Sequence, residues 1–382
     1  MRLDRRSLTV LLASAALAPG AVVTRPPSVA AASRRTVTDM VGRTVELSRP
    51  AERIVLLDGR DILAMAMVHP APSSLVVGWA GAELFDSDVV RAQYTERPDG
   101  SEIPRVGGQA ADTISVESVL ALAPDLVVAT AHVEPELEQG ALTRRLAEAG
   151  IPVIFSNAAS NRPGGEAVAR NLREDTGRLM RMWGTVLDKR QEAEAFVAFV
   201  DERLDRTQER LRDASRPKAY LEVQSTYDDC CWAAGTSVWG RLLALAGGRN
   251  LSVLDAPWYA KLSIEQLMTE APQVYIACGG AYAAGMRPAI GPGLDPERGR
   301  AGLHRLCERT GFQTLPAVRD GRVHGIWTGL VTVQPLNLLF VEAAAKWLHP
   351  EAFEDADPER TLEEVNRRFL TQPLPGPCWL SL

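Results

Sequence analysis

Cysteine and histidine are scarce, with five of each in 382 residues. Such counts exclude a disulfide-framework scaffold and an array of zinc fingers, although a small metal site survives them. Aromatic residues make up only 6% of the chain. A basic excess is also missing. The 42 Lys and Arg against 48 Asp and Glu give a formal charge of −6, which argues against a nucleic-acid-binding protein. The sequence contains no G-x-S-x-G nucleophile elbow, Walker A loop or G-x-G-x-x-G fingerprint, so the common sequence marks of hydrolase, nucleotide and dinucleotide chemistry are lacking. What is present is ordinary globular material, 46% apolar and 24% charged. Its length suits two domains, or two lobes of one fold.

Residues 1–32 read as an export signal. Arg2, Arg5 and Arg6 form a basic start, Leu8 to Ala18 is an apolar stretch, and Ala30-Ala31-Ala32 offers a cleavage site. Eleven residues are too few to span a bilayer as a helix. Arg5-Arg6 gives the signal a twin-arginine character, and no cysteine lies near the cleavage region to carry a lipid anchor. Cleavage after residue 32 removes four arginines and one aspartate, so −6 becomes about −9. No later apolar run is long enough for a membrane span, and a soluble, extracytoplasmic monomer is expected.

Beyond the signal the chain alternates short apolar runs with helical segments. TVTDMVGRTVEL at 36–47 reads as a hairpin. Strands are expected at 53–57, 75–79, 106–108, 126–129 and 151–155, with helices at 61–68, 115–122 and 142–149. The middle is helical over 165–183 and again over 189–214. In that second segment Ala193, Val197, Val200, Leu204, Thr207 and Leu211 recur every three or four residues, the stripe of an amphipathic helix. Strand and helix then alternate again: strands at 219–223, 273–277 and 323–327, helices at 238–246, 263–269, 336–347 and 358–370. The fold class is therefore α/β, with two Rossmann-like lobes of mostly parallel sheet joined by a single long helix. The expected divisions are 36–186 for the first lobe, 187–215 for the interlobe helix, 216–350 for the second lobe and 351–382 for a terminal helix and tail. A stiff connecting helix implies limited closure rather than a wide hinge swing.

ISVESVLALAPDLVVAT at 114–130 and LSIEQLMTEAPQVYIAC at 262–278 share a pattern: Ser, Glu two residues on, a helical stretch, Ala-Pro, then a buried strand. One copy lies on each side of the long helix, which is weak internal pseudo-symmetry. With TVTDMVGRTVELSRPAERIVLL at 36–57, SVWGRLLALAGGRNL at 237–251 and LPAVRDGRVHGIW at 315–327, these segments resemble the ABC-transporter substrate-binding proteins that capture ferric siderophores, haem and cobalamin, the type III periplasmic-binding-protein fold. The resemblance covers about residues 36–350. It implies a ligand cleft between the lobes, no chemistry on the ligand, and one exposed glutamate per lobe that docks on permease arginines. By motif match these are Glu117 and Glu265. Each also stands in the first turn of a helix, where the helix dipole alone favours negative charge.

Ligands of open α/β sheets sit beyond the carboxyl ends of the strands. Those ends supply Arg60, Trp79, Tyr227, Trp232, Trp258, Tyr259, Tyr282, Arg287 and Trp327 as candidate ligand contacts, with Gln109, His132 and Asn157 nearby. Seven of these are aromatic, giving large contact area at low entropy cost; packing is the competing role for each. Arg60 and Arg287 suit an anionic ferric chelate. The competing roles are an ion pair with Asp58 or Asp61 for Arg60 and a solvated loop charge for Arg287. The glycines at 280, 285, 291 and 293 suggest a flexible, lid-like loop. Cys230-Cys231 suits a vicinal disulfide, or one of the two pairs with Cys378, with metal or haem ligation and free thiols as the other roles open to them; Cys278 and Cys307 fit packing roles. His132 and His324 lack the company of a metal site. The expected cargo is a ferric siderophore or related iron chelate, with haem or cobalamin as the alternative within the class and an exported enzyme or ligand sensor as the alternative outside it. No intrinsic cofactor is expected.

Overall fold

The computed structural model describes residues 35–108, 110–156 and 171–382. The expected export signal, Gln109, Asn157 and the first part of the helix expected at 165–183 lie outside them. The hairpin forms as its alternation suggests: β1 (Arg35–Thr38) and β2 (Thr44–Leu47) pair antiparallel. Gly42 has φ 88 in the turn, a conformation glycine adopts without a Cβ clash. The Asp39 carboxylate ties the turn by accepting from the Val41 and Arg43 N–H groups at 3.1 and 2.9 Å.

The chain then runs β3 (Ile54–Leu56), α1 (Asp61–Ala66), β4 (Val76–Ala80), α2 (Asp88–Thr95), β5 (Arg105–Gly107), α3 (Val116–Ala121), β6 (Leu126–Ala129), α4 (Ala141–Glu148) and β7 (Val153–Phe155). The five strands make a parallel sheet in the order β5-β4-β3-β6-β7. Strands β3, β4, β6 and β7 are buried at every residue. Helices cover both faces of such a sheet, which is why its strands read as unbroken apolar runs.

Two helices follow, α5 (Leu172–Val186) and α6 (Arg190–Arg210). The expected helix at 189–214 is thus 21 residues, roughly 32 Å at about 1.5 Å per residue. Its buried face carries Ala193, Phe196, Val197, Phe199, Val200, Leu204 and Thr207. The α5–α6 contact closes on Gly184, where a Cβ would lie 2.7 Å from the Ala193 Cβ.

The second lobe continues through β8 (Ala219–Glu222), β9 (Trp232–Ala234), α7 (Val238–Leu245), β10 (Tyr259–Lys261), α8 (Ile264–Glu270), β11 (Val274–Gly279), α9 (Pro296–Cys307), α10 (Pro316–Arg319), β12 (Val323–Trp327), α11 (Gly329–Thr332), α12 (Asn337–Leu348), α13 (Pro358–Phe369) and β13 (Trp379–Ser381). Its sheet runs β10-β9-β8-β11-β12-β13. β8, β11 and β12 are parallel, while β9, β10 and β13 join antiparallel. The three antiparallel strands are short and were not expected from the sequence. Each has three residues, too few to show a period.

One continuous core takes in Leu56 and Val128 from the first sheet, Leu221 and Ile276 from the second, and the buried faces of α5, α6 and α12. The two lobes are therefore joined by a shared helical layer in which α6 is the long member. Gly184→Val would wedge α5 away from α6. We expect a loss of about 1–3 kcal/mol, measured by urea unfolding; wild-type stability would mean the two helices do not depend on this close approach.

Candidate functional site

In the first lobe the turn after β3 carries Asp58, Arg60 and Asp61. Arg60 is only 8% exposed. Its Nε and Nη2 donate to the two Asp58 carboxylate oxygens at 2.9 and 2.6 Å, so the guanidinium meets a carboxylate of its own chain rather than open cleft. Asp61 Oδ2 accepts from the Ser156 hydroxyl, while its Oδ1 is buried without a partner. Burial first, and then the Asp58 charge, push this carboxyl up to about 8, so at neutral pH it holds a proton.

Trp79 and Trp327 do not face a ligand. Trp79 is 1% exposed and packs on Phe85 with ring centroids 5.9 Å apart. Its strand is internal to a sheet covered on both faces, and burial extends to the strand end. Trp327 is 0% exposed; it lies against Gly291 and Gly329, where a Cβ would come within 2.7 and 2.4 Å of the ring. Arg287 is mostly buried, with Nη1 3.1 Å from Asp86 Oδ2 of the first lobe and Nη2 donating to Thr328 Oγ1 at 2.7 Å. It is not a solvated loop charge, and its charge is met by a carboxylate.

The remaining aromatics gather in the second lobe. The antiparallel β9–β10 pair sets Trp232 beside Tyr259, with centroids 5.7 Å apart. Trp239 of α7, which sequence reasoning missed, stacks on Tyr259 at 6.4 Å. Lys261 Nζ lies 5.5 Å from the Trp232 ring centroid and pairs with Asp229 at 2.7 Å. Tyr259 is 45% exposed. Trp258 is half-buried, with its Nε1 enclosed and unpartnered. Tyr227 lies under the Arg305 guanidinium at 4.0 Å. Tyr282 is 70% exposed and stands apart on the loop after β11. Trp239 falls in the SVWGRLLALAGG helix, and no strand end marked it.

A buried network anchors the loop between β8 and β9. Arg309 donates to both Glu222 oxygens at 3.0 and 2.8 Å, to Tyr275 Oη at 2.9 Å and to the Thr226 carbonyl at 3.0 Å. Tyr275 donates in turn to Glu222. Burial raises the Tyr275 hydroxyl well above its ordinary range. Cys230 and Cys231 on this loop are joined to each other as a disulfide, and Cys378 is buried and unpaired. The loop forms one wall of a groove of about 640 Å³ that also includes Lys261, Ser263, Glu265 and Glu308.

Glu117 and Glu265 occupy matching first turns of α3 and α8. Both are exposed. Hydrogen bonds, beginning with each residue's own backbone N–H, hold both carboxyls below their ordinary value. They differ in partners. Glu117 pairs with Arg145 at 3.0 Å, whereas among the described residues Glu265 has no cation within ion-pair distance. His324 is buried, stacked on Trp347 at 4.5 Å, with Nδ1 2.8 Å from Ser381 Oγ; burial lowers its pKa to about 3. His132 is exposed. Among the described residues no group of three His, Cys, Asp or Glu could hold a metal ion.

Two α/β lobes that meet where Asp86 pairs with Arg287, with an aromatic group on the second lobe and an exposed glutamate on each, make a two-lobed α/β protein. The periplasmic binding protein family model matches residues 66–326, and the chain belongs to that family. Its members are binding proteins rather than enzymes. Curated relatives include a cobalamin-binding protein of Halobacterium salinarum, 27% identical over 280 residues that cover 70% of this chain and 66% of that protein. This chain thus spans just under two thirds of that relative's length. A vitamin B12-binding protein of Yersinia pestis is 26% identical over 219 residues, 56% of this chain and 70% of that one. Among solved structures, the TroA-like periplasmic binding protein FepB from Veillonella parvula superposes with a TM-score of 0.79 at 23% identity, covering 91% of this chain and 99% of that one. A protein of an Fe3+-hydroxamate transport system from Saccharomonospora viridis reaches 0.57 at 21% identity, covering 82% and 98%. At these identities the superpositions establish the fold. No helix among the described residues is long and apolar enough to cross a membrane.

Two measurements test the buried charges. Glu222→Leu leaves Arg309 buried without its counter-ion and should cost about 3–5 kcal/mol in chemical denaturation, against about 1 kcal/mol for Tyr275→Phe. Asp61 has its folded pKa raised above the ordinary 3.8. Its contribution is therefore complete below about pH 4 and is lost as pH rises through about 8. Asp61→Asn mimics the protonated form. Its stability relative to wild type should climb between those limits, and a flat difference across that range would contradict the raised pKa.

Proposed function

We propose that this chain is the extracytoplasmic substrate-binding protein of an ABC importer, that it takes a metal chelate as cargo between its lobes, and that it delivers the cargo to a permease through Glu117 and Glu265. The chelated metal arrives with the ligand, and the protein works as a monomer without a resident cofactor, exported by its N-terminal segment.

One observation supports this reading of the cargo: the aromatic group of Trp232, Trp239 and Tyr259 is half-exposed, while both candidate cleft arginines are paired with aspartates. An anionic ferric catecholate needs free positive charge. A bulky ligand with a broad apolar face and little net charge needs ring contacts. A corrinoid fits this better than an anionic siderophore, and cobalamin is the ligand named for the relatives above. A neutral ferric hydroxamate is the second fit, and it keeps an iron chelate as cargo.

Tryptophan-fluorescence titration with cyanocobalamin, ferric hydroxamate, ferric catecholate, ferric citrate and haemin separates these readings. Saturable quenching by the corrinoid, weakened about three- to tenfold in Trp232→Ala, is the expected result. Binding to none of the five overturns the proposal. For delivery, Glu265→Lys should lower uptake more than Glu117→Lys, because Arg145 already offsets the charge of Glu117. Unchanged uptake in the double variant would remove both from the docking role.

A further inference from the structure

The rim of the second lobe holds a site shaped for a carboxylate. Its parts come from the two strand ends that lie side by side, β11 and β12. Tyr282 N–H and the Arg287 guanidinium point at one place, and Thr328 Oγ1, itself donating to the Gly279 carbonyl at 2.8 Å, fixes Arg287 from behind. Gly280 leaves the space open: a Cβ there would fall 2.0 Å from the bound carboxyl carbon. The carboxylate in this space is Asp86, from the first lobe. Its Oδ1 accepts from Tyr282 N at 2.8 Å and its Oδ2 lies 3.1 Å from Arg287 Nη1.

The fit extends beyond the charge pair. The Asp86 carbonyl accepts from Ala281 N at 3.0 Å and from Trp327 Nε1 at 3.1 Å. Ser87 Oγ donates to the Pro292 carbonyl at 3.0 Å. Val89 rests where a Gly293 side chain would be, 2.3 Å from the position of its Cβ. Asp86 itself has φ 52, a left-handed conformation that costs a non-glycine residue free energy and persists only where surrounding contacts hold it. Both side chains of the pair are nearly enclosed, 9% and 13% exposed. This sets the pair apart from exposed ion pairs, which contribute little.

We infer that this cradle is a carboxylate-binding site and that Asp86 occupies it as an intramolecular ligand, latching the first lobe to the second. While the latch is seated, Arg287 is closed to other anions. When it leaves, Arg287, Tyr282 N–H and Thr328 face the cleft together and accept another carboxylate in its place. The consequence for cargo rests on the reading of the cleft proposed above. The latch itself does not, and its test uses no cargo.

The test is hydrogen exchange of the segment 280–287 in the full chain, with formate as the probe. In Asp86→Ala these amides should exchange on the order of tenfold faster than in wild type. Sodium formate should refill the cradle and slow them about threefold, while sodium chloride at equal ionic strength does not. The double variant Asp86→Ala with Arg287→Met should ignore formate. Wild-type rates in Asp86→Ala, or equal effects of formate and chloride, overturn the inference. If Asp86→Ala also loosens β8 and β11, Asp86→Asn decides, since it keeps an acceptor for Tyr282 N–H and loses the charge. Intermediate exchange at 280–287 with unchanged strands supports the latch, and wild-type rates there reject it. Because no cargo enters the measurement, a failed latch leaves the binding-protein reading intact.

Discussion

The apolar stripe of α6 is the contact on which the remaining architecture depends. It packs against α5 and α12 and closes a single core that includes strands of both sheets. A sheet edge or face left in water would cost each lobe the burial that stabilises it, at roughly 25 cal/mol per Å² of apolar surface. Sharing one helical layer lets two modest sheets draw on a common interior.

Burial also governs three of the arginine charges. Arg60, Arg287 and Arg309 are all largely withdrawn from water, and each meets a carboxylate: Asp58, Asp86 and Glu222. An unpaired buried guanidinium would carry a large desolvation penalty. Arg309 with Glu222 and Tyr275 shapes the loop bearing Cys230 and Cys231, Arg60 with Asp58 fixes the turn into α1, and Arg287 with Asp86 joins the lobes. With these three cations paired, the part-exposed side chains singled out around them are the rings of Trp232, Trp239 and Tyr259.

Strand and helix positions were largely legible in the sequence. The parallel strands bury both faces and so read as apolar runs, and the α6 stripe has a period no strand shares. The short antiparallel strands β9, β10 and β13 were not, since three residues carry no period and their pairing is decided by neighbours remote in sequence. The placement of the candidate site residues was half legible. Strand-end reasoning named Trp232 and Tyr259, which the structure sets side by side and part-exposed, but it also named Trp79 and Trp327, whose strand ends continue inside the core, and it passed over Trp239, which reaches Tyr259 from a helix.

By itself the sequence determined the fold class, the pseudo-repeat that places Glu117 and Glu265 in matching helix turns, and the supply of aromatic residues near strand ends. These follow from local periods and short-range spacing. Only the tertiary structure decided which rings are exposed, which arginines are free and how the lobes meet. Asp86 and Arg287 are two hundred residues apart, and nothing local to either announces the other. Their pairing depends on how the two lobes pack on their shared core, a tertiary arrangement that no local spacing encodes.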